Sequence, residues 1–172
     1  MRRRTLMGGL ALLLTLTMTV PTWAVVFSNV NPITINDATS ISPGNPYPSN
    51  ISVSGMMGTV SNVTVTLSNL NHTFVPDLDI LLVAPGSNNL ILMSDVSTGN
   101  DITNTTLTFS DAATATIPTT GTLATGTYKP TNITAGDTFP APAPAPSANT
   151  TLAAAFNGID PNGTWSLYVV DD

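Results

Sequence analysis

The sequence predicts an all-β sandwich, and three observations carry that reading. Short runs alternate apolar and polar residues with period two, because successive side chains leave a strand on opposite faces. No segment sustains the period of an amphipathic helix. Gly, Pro, Asn, Asp and Ser fall between the runs, where turns need them.

In chain order, Val25 to Pro48 is rich in Asn, Ser, Pro and Gly and reads as an extended lead-in with one strand at Ile33–Ile35. Ile51 to Gly55 reads as a short strand. From Val60 to Leu70 the pattern alternates, with Val63, Val65 and Leu67 on one face and Asn62, Thr64, Thr66 and Ser68 on the other. Leu78 to Val83 is apolar on both faces once past Asp79, as a central strand must be. Gly86 and Asn88-Asn89 then mark a turn, and Leu90 to Met93 returns as the hairpin partner. Thr105 to Ser110 alternates again, with Leu107 and Phe109 together. Residues 112–150 are rich in Thr, Ala, Pro and Gly. Pro alternates from Pro140 to Pro146, which forbids a ladder strand and favours a polyproline-like run. The expectation is a long surface crossover linking two sheets. Thr151 to Phe156 suits one helical turn. Thr164 to Val170 is the last strand, with Trp165, Leu167 and Val169 facing the core and Tyr168 alternating outward with Ser166.

The first 24 residues read as a signal peptide. Arg2, Arg3 and Arg4 give a basic start, Leu6 to Val20 an apolar run too short to span a bilayer comfortably, and Pro21-Thr22-Trp23-Ala24 a cleavage site after Ala24. The three arginines suit the general and the twin-arginine routes alike. Export leaves an extended segment at 25–50 and one domain at 51–172, secreted, at the cell surface or in the periplasm, with no membrane contact after cleavage. Three of the four basic residues leave with the leader, so Lys129 stands against ten Asp. Such a surface repels nucleic acid and anionic lipid and attracts cations. The chain has no Cys, so no disulfide supports it.

Catalytic machinery is not visible. His72 is the only His, and no Gly-x-Ser-x-Gly elbow is present. His72 sits beside a strand start among Asn- and Thr-rich turns and reads as a hydrogen-bonded turn residue. One His and no Cys argue against zinc. Calcium suits the chain better, since it takes oxygen ligands. Asp77 and Asp79, two apart, share a face if both are on the strand. Asp95, Asn100 and Asp101 follow the next strand, and Asp111 follows Phe109. The candidate calcium ligands are Asp77, Asp79, Asp95 and Asp101; the competing reading is that these Asp residues cap turns and keep the surface soluble. Asp171 and Asp172 read as terminal solvation. Tyr168 is the exposed ring best suited to stack on a sugar, whereas Trp165 and Phe109 read as core. Seven Asn-x-Ser/Thr sequons occur, including Asn50, Asn62, Asn104 and Asn162, as a composition rich in Asn and Thr produces on its own.

Two motifs carry a resemblance. His72 precedes Asp77-Leu78-Asp79-Ile80-Leu81-Leu82-Val83-Ala84-Pro85, and the chain ends with Gly163-Thr164-Trp165-Ser166-Leu167-Tyr168-Val169-Val170-Asp171. In this order and separation they resemble the P domain (P/Homo B domain) that follows the catalytic domain of kexin- and furin-type proprotein convertases and many bacterial subtilisin-like proteases. The resemblance covers about Ile51 to Asp172. It implies a jelly-roll-like, galactose-binding-like antiparallel β-sandwich and a non-catalytic role in subtilisin-like serine endopeptidase proteolysis. There such a module stabilises a protease domain, in cis or trans, and tunes its calcium and pH response. The family's matching His is not catalytic. The chain departs from the family in having no protease domain ahead of Ile51 and in stopping at Asp172, where bacterial members continue into a further Trp-bearing strand. A truncated module therefore stays open as a reading. The alternative class is a stand-alone extracellular adhesion module contacting a cell-surface protein or a glycan.

Overall fold

The computed structural model describes residues 24–36 and 40–172. The signal peptide lies outside the described residues, apart from Ala24 itself.

Among the described residues nine strands form two sheets. β1 (Ser42–Pro43), β2 (Ser49–Val53), β4 (Leu78–Val83), β5 (Asn89–Ser94), β8 (Thr131–Asn132) and β9 (Gly163–Asp171) make a six-stranded sheet. Its order is β1-β9-β4-β5-β8, with β2 pairing β9 beside β1. β3 (Val65–His72), β6 (Ile102–Phe109) and β7 (Gly126–Tyr128) make a three-stranded sheet in the order β3-β6-β7. One short helix, α1 (Leu152–Phe156), precedes β9. The Thr151 hydroxyl accepts its Ala154 N–H at 3.1 Å, and the Asp111 carboxylate accepts those of Leu152 and Ala153 at 3.0 and 2.7 Å.

The apolar pattern accounts for the layers. Leu78, Ile80 and Leu82 of β4, Trp165, Leu167 and Val169 of β9, and Leu107 and Phe109 of β6 meet between the sheets, with Phe156 of α1 among them. Leu81 and Val83, together with Ile91, Tyr168 and Val170, point to the other face of the six-stranded sheet. That face is not bare. Phe139 and Ala143 of the Pro-rich segment, with Tyr47, cover it as a second cluster. Every residue of β4 and β5 is consequently buried.

Several expectations are corrected. Residues 112–150 do not simply bridge the sheets. They contain β7 and β8, which pair parallel to β6 and β5, so the sheets are not purely antiparallel. The chain passes from the three-stranded to the six-stranded sheet at Lys129–Pro130, and the Pro-rich part then covers the outer face of the six-stranded sheet. Ile33–Ile35 is no strand; Thr34 makes an isolated bridge to Asn45. The alternation from Val60 becomes strand only at Val65. It slips at Asn69, whose backbone is left-handed (φ 57°), and the facing strand slips at Asn104 (φ 51°). Asn tolerates that conformation better than most residues, which suits it to a bulge. The two slips compensate and bring His72 opposite Ile102, facing the interior.

Candidate functional site

The segments that carry the resemblance become neighbours. β4 and β9 pair along their length, from Leu78 opposite Asp171 to Val83 opposite Ser166. At one end Gly163 lies under Pro85. Its φ of 131° favours glycine, and a Cβ there would come within 2.9 Å of Pro85 Cγ. At the other end His72 reaches across from the three-stranded sheet, and its Nε2–H donates to Asp171 Oδ2 at 2.7 Å. Both side chains are buried, at 5% and 1% exposure. Asp171 is thus an interior tie between the sheets rather than terminal solvation.

The geometry limits what His72 can do. Nε2 is taken by Asp171, and Nδ1 lies 2.9 Å from the Phe74 carbonyl and 3.2 Å from the Phe74 N–H. Both ring nitrogens thus face groups of the chain itself. An open hollow of about 280 Å³ lies beside it, lined by Asn71, Thr73, Asp101 and Thr103 among others.

The candidate metal ligands are divided. Asp101 is exposed at the start of β6, beside this hollow. Asp77 is in a 3-10 turn ahead of β4, so strand alternation does not link it to Asp79. Its backbone carbonyl accepts the N–H of Asp172 at 3.0 Å.

Asp79 occupies the outer face of the six-stranded sheet, alternating with Leu81 and Val83 and paired with Val170. It is 1% exposed, and among the described residues neither carboxylate oxygen has a hydrogen-bond partner. A slip at Leu92 turns Met93 inward opposite Ile80 and carries Ser94 to the side of Asp79. The Ser94 hydroxyl donates to Asp95 Oδ2 at 3.4 Å. Ser94 pairs with Asn132 of β8, whose amide donates to Asp137 Oδ2 at 2.9 Å. Asp172 follows β9, two residues beyond Val170. Burial pushes the pKa of Asp79 up to about 7; the Ser94 hydroxyl opposes this in part, while Asp137, Asp172 and Asp95 add to it. The carboxyl of Asp172 is also raised, by burial first and then by Asp95, Asp137 and Asp171. Sequence reading singled out Asp79 and Asp95 but missed Asp137 and Asp172, which lie 58 and 93 positions along the chain from Asp79. Among the described residues no three His, Cys, Asp or Glu side chains close on a point as a preformed metal centre.

The aromatic residues are redistributed too. Tyr168 is 7% exposed and meets Tyr47 edge-on at 4.9 Å, because the Pro-rich segment encloses its face. The Tyr47 hydroxyl donates to the Pro140 carbonyl at 3.0 Å; burial, with Tyr168 adding, pushes its pKa up to about 12. Phe109 is fully buried, and Trp165 is partly buried against Phe156 at 5.2 Å, with its Nε1–H donating to the Pro161 carbonyl. Among the described residues no helix is long and apolar enough to cross a membrane.

Compared with models of known families, with curated proteins and with solved structures, the chain finds no match.

Proposed function

We propose that this chain is an exported, non-catalytic module of the P-domain type that packs against a subtilisin-like protease domain, in cis or in trans, and stabilises it. In finer detail the sandwich is a jelly-roll of the galactose-binding-like kind. One observation carries the reading. The residues of the two motifs, 77–85 and 163–171, act on each other: their strands pair, Gly163 accommodates Pro85, and Asp171 binds His72. Two motifs that had met only by composition would have no reason to interlock. The engagement of both His72 nitrogens supports a role without acid–base chemistry. Loss of Tyr168 as an exposed ring removes the platform on which the glycan-binding alternative rested. The most exposed aromatic ring among the described residues is Phe74, laid over Gly99.

The test is co-expression with a subtilisin-like protease domain. The expected result is co-elution on gel filtration and a longer protease half-life under autolysis. Separate elution with an unchanged half-life overturns the reading.

A further inference from the structure

Asp79 is a buried carboxylate whose oxygens, among the described residues, meet no opposite charge. An unpaired charge in the interior is costly, and the usual escapes are a proton or a counter-charge. Among the described residues no basic side chain acts on Asp79: the groups that do are three carboxylates and one hydroxyl. A fold selected only for stability would put Leu or Val there, as at Leu81 and Val83 on the same face. Instead four separate segments bring acid to this end of the sheet. They are β4 with Asp79, the end of β5 with Asp95, the loop after β8 with Asp137, and the end of β9 with Asp172.

We propose that Asp79, Asp95, Asp137 and Asp172 bind one calcium ion at this end of the outer face, with Asp79 as the buried ligand. The donors are all hard oxygens, and calcium accepts several of them in flexible geometry. The rim can adjust: Asp95 and Asp137 are partly exposed and Asp172 exposed, so these side chains can turn toward a cation. Asp137 would exchange its Asn132 contact for the ion. It also lines an open groove of about 710 Å³ between residues 130–137 and 146–150, which gives solvent access from that side. The site therefore closes on binding, in keeping with the absence of a preformed centre. It would pin the loop after β8 and the chain end after β9 to the middle of the sheet. The proposal does not depend on the protease reading, because it concerns this chain alone.

The experiment is thermal unfolding of the purified protein at pH 7.5, in chelator, in millimolar Ca²⁺ and in millimolar Mg²⁺. A ligand that binds only the folded state raises the midpoint. We expect a rise of about 5 °C or more with Ca²⁺ and a smaller one with Mg²⁺. Asp79→Asn should abolish the Ca²⁺ response and, having no charge to bury, unfold in chelator no lower than the parent. No rise with Ca²⁺, or a rise that survives Asp79→Asn, overturns the proposal. Should that variant fail to fold, the Asp95→Asn/Asp137→Asn double variant decides. Its substitutions lie on the partly exposed rim. A lost Ca²⁺ response with an unchanged midpoint in chelator supports the site, and a retained response refutes it.

Discussion

His72 and Asp79 show how the same kind of surroundings can satisfy one polar side chain and strand another. His72 is enclosed, yet every polar atom of its ring is engaged, and its partner Asp171 comes from the opposite sheet 99 residues away. Removing one member of such a pair leaves the other buried. His72→Ala should therefore cost about 3 kcal/mol or more, read by urea unfolding. A loss below about 1 kcal/mol would mean that the pair does not hold the sheets together. The sequence could show that His72 lacked a nucleophile motif. It could not show Asp171 as its partner, because a contact between sheets depends on topology and not on local pattern. Asp79 was legible as a candidate ligand because an acid interrupts an apolar run. Its companions Asp137 and Asp172 were not, since nothing local distinguishes them from turn and terminal acids.

At the level of the elements, β4, β5 and β9 were legible nearly to the residue. Their apolar runs are long, and their ends are marked by Gly, Pro or Asp. β3 was placed too early, and its slip at Asn69 was missed, because period-two reasoning assumes an unbroken ladder. That slip matters: without it His72 would face solvent. Asn69→Gly should be tolerated, since Gly accepts φ 57° at no steric cost, whereas Asn69→Val should destabilise the protein by about 1–2 kcal/mol. Equal stabilities for the two variants in thermal unfolding would remove the bulge from the account. The outward assignment of Tyr168 failed for a related reason. Alternation says which face a residue takes, not whether that face is wet. The signal was present in the continuous apolar character of Ile80–Val83 and Val169–Val170, which indicates burial on both faces. Prolines in 140–146 excluded a ladder strand without indicating that the segment would cover a sheet.

Taken whole, the molecule is a two-sheet sandwich whose larger sheet is covered on both sides: by the smaller sheet within, and by the Pro-rich segment without. The outer cover makes the environment of Asp79 an interior, and that has a consequence for the whole protein. In the unfolded chain Asp79 titrates near pH 4; in the folded protein burial first, then the carboxylates of Asp137, Asp172 and Asp95, push it to about 7, with the Ser94 hydroxyl opposing. Between these values the folded state holds a proton that the unfolded state has released. Stability falls with pH wherever the folded state binds more protons, so the contribution is fully present below about pH 4 and lost as pH rises through about 7. Asp172, raised in the same direction, adds to the trend. Tyr47, at about 12, does not titrate in this window. The most direct measurement is urea unfolding in chelator from pH 4 to pH 8, for the parent and for Asp79→Asn. The enclosed outer face predicts a free energy of unfolding that declines with pH in the parent, with most of the decline gone in the variant. A parent whose stability is level or rises across that range would mean that Asp79 is solvated and the outer face open.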